Sequence, residues 1–153
     1  TALTHAGCPE REAALTIFFK KWQHETLVMD KWFAIQATAP LTTTLERVKE
    51  LMKHPLFKIK NPNKVRALIG SFAAGNHICF HEPSGAGYEL LAKVVLELDR
   101  LNPAIAARLL GRFSRWQLYD QNRRDLMKGQ LKRILSQVGI SKGVYEVAEK
   151  SLA

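Results

Sequence analysis

Asn61-Pro62-Asn63-Lys64-Val65-Arg66-Ala67-Leu68-Ile69-Gly70-Ser71-Phe72-Ala73-Ala74-Gly75 spells a helix together with both of its ends. Asn61 suits the N-cap, because its side-chain oxygen can accept from a free N–H of the first turn. Pro62 suits the first helical position, where no N–H is needed and φ is already set. Val65, Leu68, Ile69 and Phe72 recur every three or four residues and so share one face. Gly75 is expected to supply a left-handed residue that ends the helix. Lys64 and Arg66 fall off the apolar stripe, free to meet something charged.

The pattern returns 41 residues later, from position 61 to 102, as Asn102-Pro103 followed by Leu109-Leu110-Gly111. Helical repeats of the HEAT and armadillo type have periods of about 40–47 residues. Two copies fall short of the three such arrays need. The echo therefore reads either as a structural repeat or as two uses of a common helix start.

From these anchors the rest of the chain reads as about eight helices and no strand: an all-α superhelix of antiparallel helix pairs, with short connections between neighbours. The first helix begins near Pro9 and is expected to bury Ala14, Leu15, Phe18 and Trp22. The second runs from Thr26 to about Thr38 with Leu27, Met29, Trp32, Phe33 and Ile35 inward. Thr43 and Glu46 form a capping box for the third, which Pro55 closes. After the Asn61 helix, Asn76 to Gly85 reads as one long irregular stretch. A fifth helix aligns Leu90, Leu91, Val94, Val95, Leu98 and Leu101. The Asn102 helix is expected to reach about Arg115. Asp120 caps a seventh, with Val138 in its stripe and Gly139 at its end, and Ser141 caps the last.

With 153 residues, 46% hydrophobic and 24% charged, the chain has the make-up of one globular domain, residues 1–153. No apolar run approaches the ~20 residues of a membrane span. The opening Thr1-Ala2-Leu3-Thr4-His5 carries no initiator Met and no basic leader, and reads as a cut inside a longer polypeptide. Cys8 and Cys79 are too few and too scattered for a disulfide framework, which favours a cytoplasmic setting, although two cysteines can still pair. The net charge of +9 is densest late in the chain, at Arg112, Arg115, Arg123, Arg124, Lys128, Lys132 and Arg133. Such a face can bind nucleic acid or another acidic partner, or be merely solvated.

Catalytic patterns fail one by one. His24-Glu25 begins like a zinc-protease helix, but Val28 stands where the second imidazole belongs. His81-Glu82 is followed by Pro83, through which a helix does not continue. His77-Ile78-Cys79-Phe80-His81, if extended, points three ligand types to one side; structural zinc sites pair their ligands differently, and a loop cysteine with two surface histidines is the plainer reading. Arg66 and Arg108 each follow an Asn-Pro helix start and are placed in the second turn, where the dipole adds positive potential. There a guanidinium suits capture of a carboxylate or peptide carbonyls, or is an ordinary exposed or salt-bridged arginine.

Leu27-Val28-Met29-Asp30-Lys31-Trp32-Phe33, Gln36-Ala37-Thr38, and Asn61 to Arg66 with Leu68-Ile69-Gly70 and Phe72 resemble the C-terminal domain of the bacterial aminopeptidase N family, the alanyl-aminopeptidase type of zinc metallopeptidase. Phe80-His81, Gly87-Tyr88, Asn102-Pro103, Arg108-Leu109, Tyr119-Asp120 and Leu152-Ala153 follow in the family's order. The resemblance implies a segment that caps a separate zinc-bearing catalytic domain and forms the chamber that peptides enter. It also implies that Arg66 and Arg108 line that chamber as substrate-binding residues. Zinc belongs to the parent enzyme; this segment is expected to hold no metal, no catalytic residue and no activity alone. Its partners are then the other domains of the same polypeptide and peptide substrates, with no membrane. The Asn76–Pro83 stretch has no counterpart in that pattern. Two rival readings stand beside it: a free-standing basic helical module gripping nucleic acid, and an independent metal enzyme using His77, Cys79 and His81.

Overall fold

A computed structural model describes residues 2–153. All regular structure among them is helical. Among the described residues there are nine helices: α1 (Pro9–Trp22), α2 (Thr26–Ala37), α3 (Thr44–Met52), α4 over residues 62–75, α5 (His77–Phe80), α6 (Ala86–Asp99), α7 (Pro103–Leu110), α8 (Gln121–Leu135) and α9 (Lys142–Leu152). Short 3₁₀ turns add Ala2–His5, Gly111–Phe113 and Trp116–Leu118. The chain divides into two compact units, one through Cys79 and one from Phe80 to Ala153.

In the first unit, α2 packs against α1, α3 and α4. Its Met29, Trp32, Phe33 and Ala37 are buried, and Trp32 Nε1 donates to the Leu15 carbonyl at 3.1 Å, pinning α1 to α2. Leu27 turns out exposed, because it lies on the side of α2 away from that core. Phe19, Trp32 and Phe33 surround His54, with ring centroids 5.2–5.9 Å from it. Burial among these rings, with the Arg47 charge, holds His54 below the ordinary histidine range. The capping box expected at Thr43 does not form: Thr43 has helical angles and makes no cap bond, while Glu46 pairs with Lys49 at 2.6 Å. Thr44 instead donates its hydroxyl to the Ala39 carbonyl at 2.6 Å.

α4 begins as the sequence predicts. Asn61 Oδ1 accepts from the N–H groups of Asn63 (3.0 Å) and Lys64 (3.4 Å), and Pro62 takes the first turn. The helix then departs from α geometry. Between Pro62–Val65 and Ser71–Gly75 lies a π turn, Arg66–Gly70, closed by the Ser71 N–H donating to the Arg66 carbonyl. Gly75 is not left-handed. A side chain there would meet Thr38 Cγ2 at 2.9 Å, so glycine serves close helix approach instead.

The stretch after Gly75, expected to be irregular to Gly85, holds one helical turn at His77–Phe80 and is irregular beyond it. Asn76 is buried, donates to the carbonyls of Ala37 (3.0 Å) and Ala39 (2.9 Å), and accepts from the Cys79 N–H (3.1 Å) to start the single turn α5.

In the second unit, α6 packs on α7 and α8, and α9 on α7 and α8. Tyr88, Leu91, Val94, Val95 and Leu98 of α6 are buried; Leu101, beyond its end, is 45% exposed. Gly87 allows α6 to approach the preceding backbone, since a Cβ would stand 2.5 Å from the Phe80 carbonyl oxygen. Asn102, Asp120 and Ser141 cap α7, α8 and α9 through their side chains, as expected. α7 stops at Leu110, well short of Arg115. Val138 is fully exposed, because α8 ends at Leu135 and Gly139 turns left-handed only afterwards.

The 41-residue echo has a structural counterpart. Val65, Leu68, Ile69 and Phe72 in one unit match Ala106, Leu109, Leu110 and Phe113 in the other, and all eight are buried. Each unit thus uses an Asn-capped, Pro-initiated helix to deliver the same four apolar positions to its core.

Candidate functional site

Arg66 lies in the second turn of α4, in the first unit, and its side chain is exposed. Nη2 donates to Asn63 Oδ1 at 2.6 Å, one turn back on the same helix. Gly70 lies one turn on, and a Cβ there would stand 3.6 Å from Arg66 Cγ, an ordinary van der Waals contact. A guanidinium carries five N–H donors in a planar fork, and one bond to Asn63 leaves the others available.

Arg108, in the second unit, is also exposed and makes no hydrogen bond or ion pair among the described residues. It does not lie in a second turn near an N-terminal end. Because α7 ends at Leu110, Arg108 occupies the last turn, where the carbonyl end of the dipole favours a cation. Both arginines therefore present unspent donors suited to a carboxylate or to peptide carbonyls.

Lys64 is not free. It is buried, with Nζ 2.6 Å from Asp30 Oδ1 and 3.3 Å from the Thr26 carbonyl.

His77 and Cys79 lie in the helical turn α5, not in the extended stretch that the ligand reading needs. His77 is exposed, Cys79 is buried with its thiol donating to the Leu41 carbonyl at 3.0 Å, and His81 is buried rather than superficial. Among the described residues no group of three His, Cys, Asp or Glu is placed to hold a metal ion. These residues do not fit a zinc site.

The structure assembles a cluster around His81 that sequence reasoning did not single out. His81 Nδ1 lies 2.7 Å from the Tyr88 hydroxyl, and Nε2 lies 2.9 Å from that of Tyr119, whose ring stacks on the imidazole at 4.3 Å. Arg123 Nε donates to the His81 carbonyl at 2.6 Å and Nη1 to Asp120 Oδ2 at 2.7 Å. The Arg123 side chain and backbone N–H hold Asp120 below the usual carboxylate range. Burial pushes the Tyr88 hydroxyl up to about 12, so it stays protonated well into the alkaline range. The signal was there in the dipeptides Phe80-His81, Gly87-Tyr88 and Tyr119-Asp120, but no spacing rule joins positions so far apart.

Most of the late basic residues are engaged. Besides Arg123, Arg124 Nε donates to the Tyr119 carbonyl at 2.5 Å and Lys128 sits 4.9 Å over the Trp116 ring. The charge is not concentrated in one unit: Lys and Arg outnumber Asp and Glu eleven to six in the first and twelve to eight in the second.

A family model described as "Domain of unknown function (DUF3458_C) ARM repeats" matches residues 1–153. Proteins named aminopeptidase N are similar to the chain: that of Caulobacter vibrioides is 47% identical over 95% of the chain, that of Haemophilus influenzae 46% over 97%, and that of Escherichia coli 38% over 100%. Among solved structures, Legionella pneumophila aminopeptidase A, crystallised in complex with aspartic acid, matches 99% of the chain with a TM-score of 0.93 and 40% identity. The chain spans 17–18% of the length of each of these relatives and corresponds to the C-terminal part of aminopeptidase N.

Proposed function

Because the chain belongs to the DUF3458_C armadillo-repeat family, we propose that it is the C-terminal helical domain of a zinc-dependent, cytoplasmic aminopeptidase that removes N-terminal residues from peptides. In this reading it caps the catalytic domain, walls the chamber that substrates enter, and offers Arg66 and Arg108 to the bound peptide. The observation that carries it is identity of 38–47% to proteins named aminopeptidase N, over 95–100% of the chain. Two exposed guanidiniums with spare donors, each following an Asn-Pro helix start, support the substrate contact. In this reading the zinc belongs to the catalytic domain of the parent; among the described residues no group of three His, Cys, Asp or Glu is placed to hold a metal ion. The two arginines only bind and orient here: a guanidinium holds the C-terminal carboxylate or a backbone carbonyl while the peptide amine lies toward the catalytic end.

The test is kinetic. In the parent enzyme Arg66→Ala and Arg108→Ala are each expected to lower kcat/KM for short peptides about 10–100-fold, chiefly through KM. Unchanged kinetics on every short peptide refute the contact. Nucleic-acid binding is the weaker reading, because Arg123, Arg124 and Lys128 are spent on internal partners.

A further inference from the structure

Residues 53–61, which carry the chain from α3 to α4, are held to the first unit by few side chains. Lys53, Pro55, Lys58 and Lys60 are exposed, and only Phe57 is buried, its ring centroid 6.2 Å from that of Phe33. The second anchor is the half-buried His54. Pro55 has no N–H, so the first backbone donor after the histidine belongs to Leu56, and it donates to His54 Nδ1 at 3.2 Å. The Phe57 N–H donates to the His54 carbonyl at 2.9 Å, so one residue organises the turn through both its side chain and its backbone. The imidazole meets the rings of Phe19 on α1 and Phe33 on α2 at near right angles, and that of Trp32 at 56°.

An imidazole whose Nδ1 accepts a hydrogen bond carries its proton on Nε2. A second proton goes onto Nδ1, and there it turns an acceptor into a donor that faces the Leu56 N–H. The surroundings offer that cation no compensation, since among the described residues no carboxylate bonds the ring. From α3, Arg47 adds a like charge, and it is fixed in place by Gln36 Oε1 at 2.9 Å, Glu12 Oε2 at 3.2 Å and Glu50 Oε2 at 3.3 Å. Glu12 of α1 and Glu50 of α3 are thereby engaged by Arg47. Asp30 of α2 is engaged by Lys64 of α4, whose Nζ stands 5.7 Å over the Phe33 ring. Lys20 and Lys53, next in sequence to Phe19 and His54, are exposed cations. Burial first, and Arg47 second, hold the His54 ring below the ordinary histidine range.

We propose that His54 is an acid-sensitive latch: protonation of its ring breaks the bond to Leu56 and releases residues 53–61 from the aromatic cluster of α1 and α2. The released segment runs directly into Asn61, so acid acts on the cap of α4 and on the turn where Arg66 bonds Asn63. The held state favours the neutral ring, whereas the released state takes up its proton at the ordinary value of about 6.5. The latch is therefore closed above that pH and opens as pH falls below it. Carboxylates ordinarily titrate near 4, which leaves the window between about 6.5 and 5 to histidine.

Hydrogen exchange read by mass spectrometry on the full-length polypeptide tests it, with rates corrected for the intrinsic effect of pH. Protection of the Leu56 and Phe57 amides is expected to fall by up to about tenfold per pH unit below 6.5, as for one linked proton, while the amides of α2 keep theirs. His54→Asn retains an acceptor for the Leu56 N–H, in the manner of an Asx turn, but takes no proton. Its protection is expected to stay level from about pH 7.5 to 5. Level protection in the unaltered protein, or the same fall in His54→Asn, overturns the proposal. Should His54→Asn not fold, deuterium uptake at the His54 ring carbon Cε1 reads the titration directly in the unaltered protein. A midpoint below about 6.5 supports the latch; one at or above it, as for an imidazolium welcomed by the aromatic rings, overturns it. Neither readout uses peptidase activity, so loss of the roles given to Arg66 and Arg108 leaves this result intact.

Discussion

Lys64 Nζ stands 2.6 Å from Asp30 Oδ1 with only 7% of the lysine side chain and 18% of the aspartate's exposed. The lysine also donates to the Thr26 carbonyl and lies 5.7 Å over the Phe33 ring, so α4 is tied to α2 by an ion pair set against apolar surface. Removing one partner leaves a poorly solvated charge. Asp30→Ala and Lys64→Ala are each expected to cost about 3–5 kcal/mol, and Lys64→Met with Asp30→Leu less than either alone. Urea unfolding of the three variants checks this; a double variant as damaged as the sum of the singles contradicts it.

Asn76 offers a sharper polar test. Its amide nitrogen feeds two carbonyls while its oxygen takes the Cys79 N–H. Asn76→Ala is expected to cost about 2–4 kcal/mol by leaving buried groups unpaired. Asn76→Asp is expected to cost more despite its near-identical shape, because a carboxylate would face two carbonyl oxygens. Thermal melts in which the aspartate variant is the more stable would reject this account of the turn.

Two glycines of the second unit are expected to respond in opposite directions. Gly87→Ala forces a Cβ to 2.5 Å from the Phe80 carbonyl oxygen, where only backbone movement relieves the clash, at a cost of about 1–3 kcal/mol. Gly129, inside α8, has open space around it. Gly129→Ala is expected to stabilise by roughly 0.5–1 kcal/mol through helix propensity. Differential scanning calorimetry of the pair reads both signs.

Tyr88 predicts a pH dependence at the alkaline end. Burial moves its hydroxyl from the ordinary 10.0 up to about 12 in the folded protein. Folding favours the protonated phenol, so this contribution is whole below pH 10 and is lost as pH rises toward 12, by up to roughly 2–3 kcal/mol. One of the three tyrosines should titrate late by tyrosinate absorbance. Tyr88→Phe should remove that late component and the matching alkaline loss of stability; a late component that survives in the phenylalanine variant assigns it elsewhere.

What the chain revealed in advance was local. Asn61, Asn102, Asp120 and Ser141 were legible as caps because a cap needs only the residue and the turn that follows it. Thr43 stands at the N-cap position its motif predicts, yet has helical angles and makes no cap bond, while the neighbouring Thr44 hydroxyl donates to Ala39. Burial of Lys64 depended on Asp30 waiting 34 positions away, which no periodicity contains. The Asn76–Gly85 stretch reads as irregular because its histidines, cysteine and proline hide an asparagine whose partners lie at the end of α2 and just beyond it. Arg66 and Arg108, expected as substrate-binding residues in the second turns of their helices, are both exposed, and Arg108 lies instead in the last turn because α7 is short. The His81 cluster was quoted piecemeal and never joined, for hydrogen bonds between distant side chains leave no trace in spacing.

The π turn at Arg66–Gly70 holds one more residue than an α turn would. Val65 before it and Phe72 after it are both fully sequestered, so the two halves of α4 keep a common interior across the wider turn. Delete any single position from 66 to 70 and the downstream half swings by about 100° relative to the upstream half. The compass bearing of the Arg66 guanidinium is thus a matter of counting, held by chain length more than by the torsions of its own side chain. Comparative gene surveys should find exchanges of residue type in this segment far more readily than gains or losses of a codon.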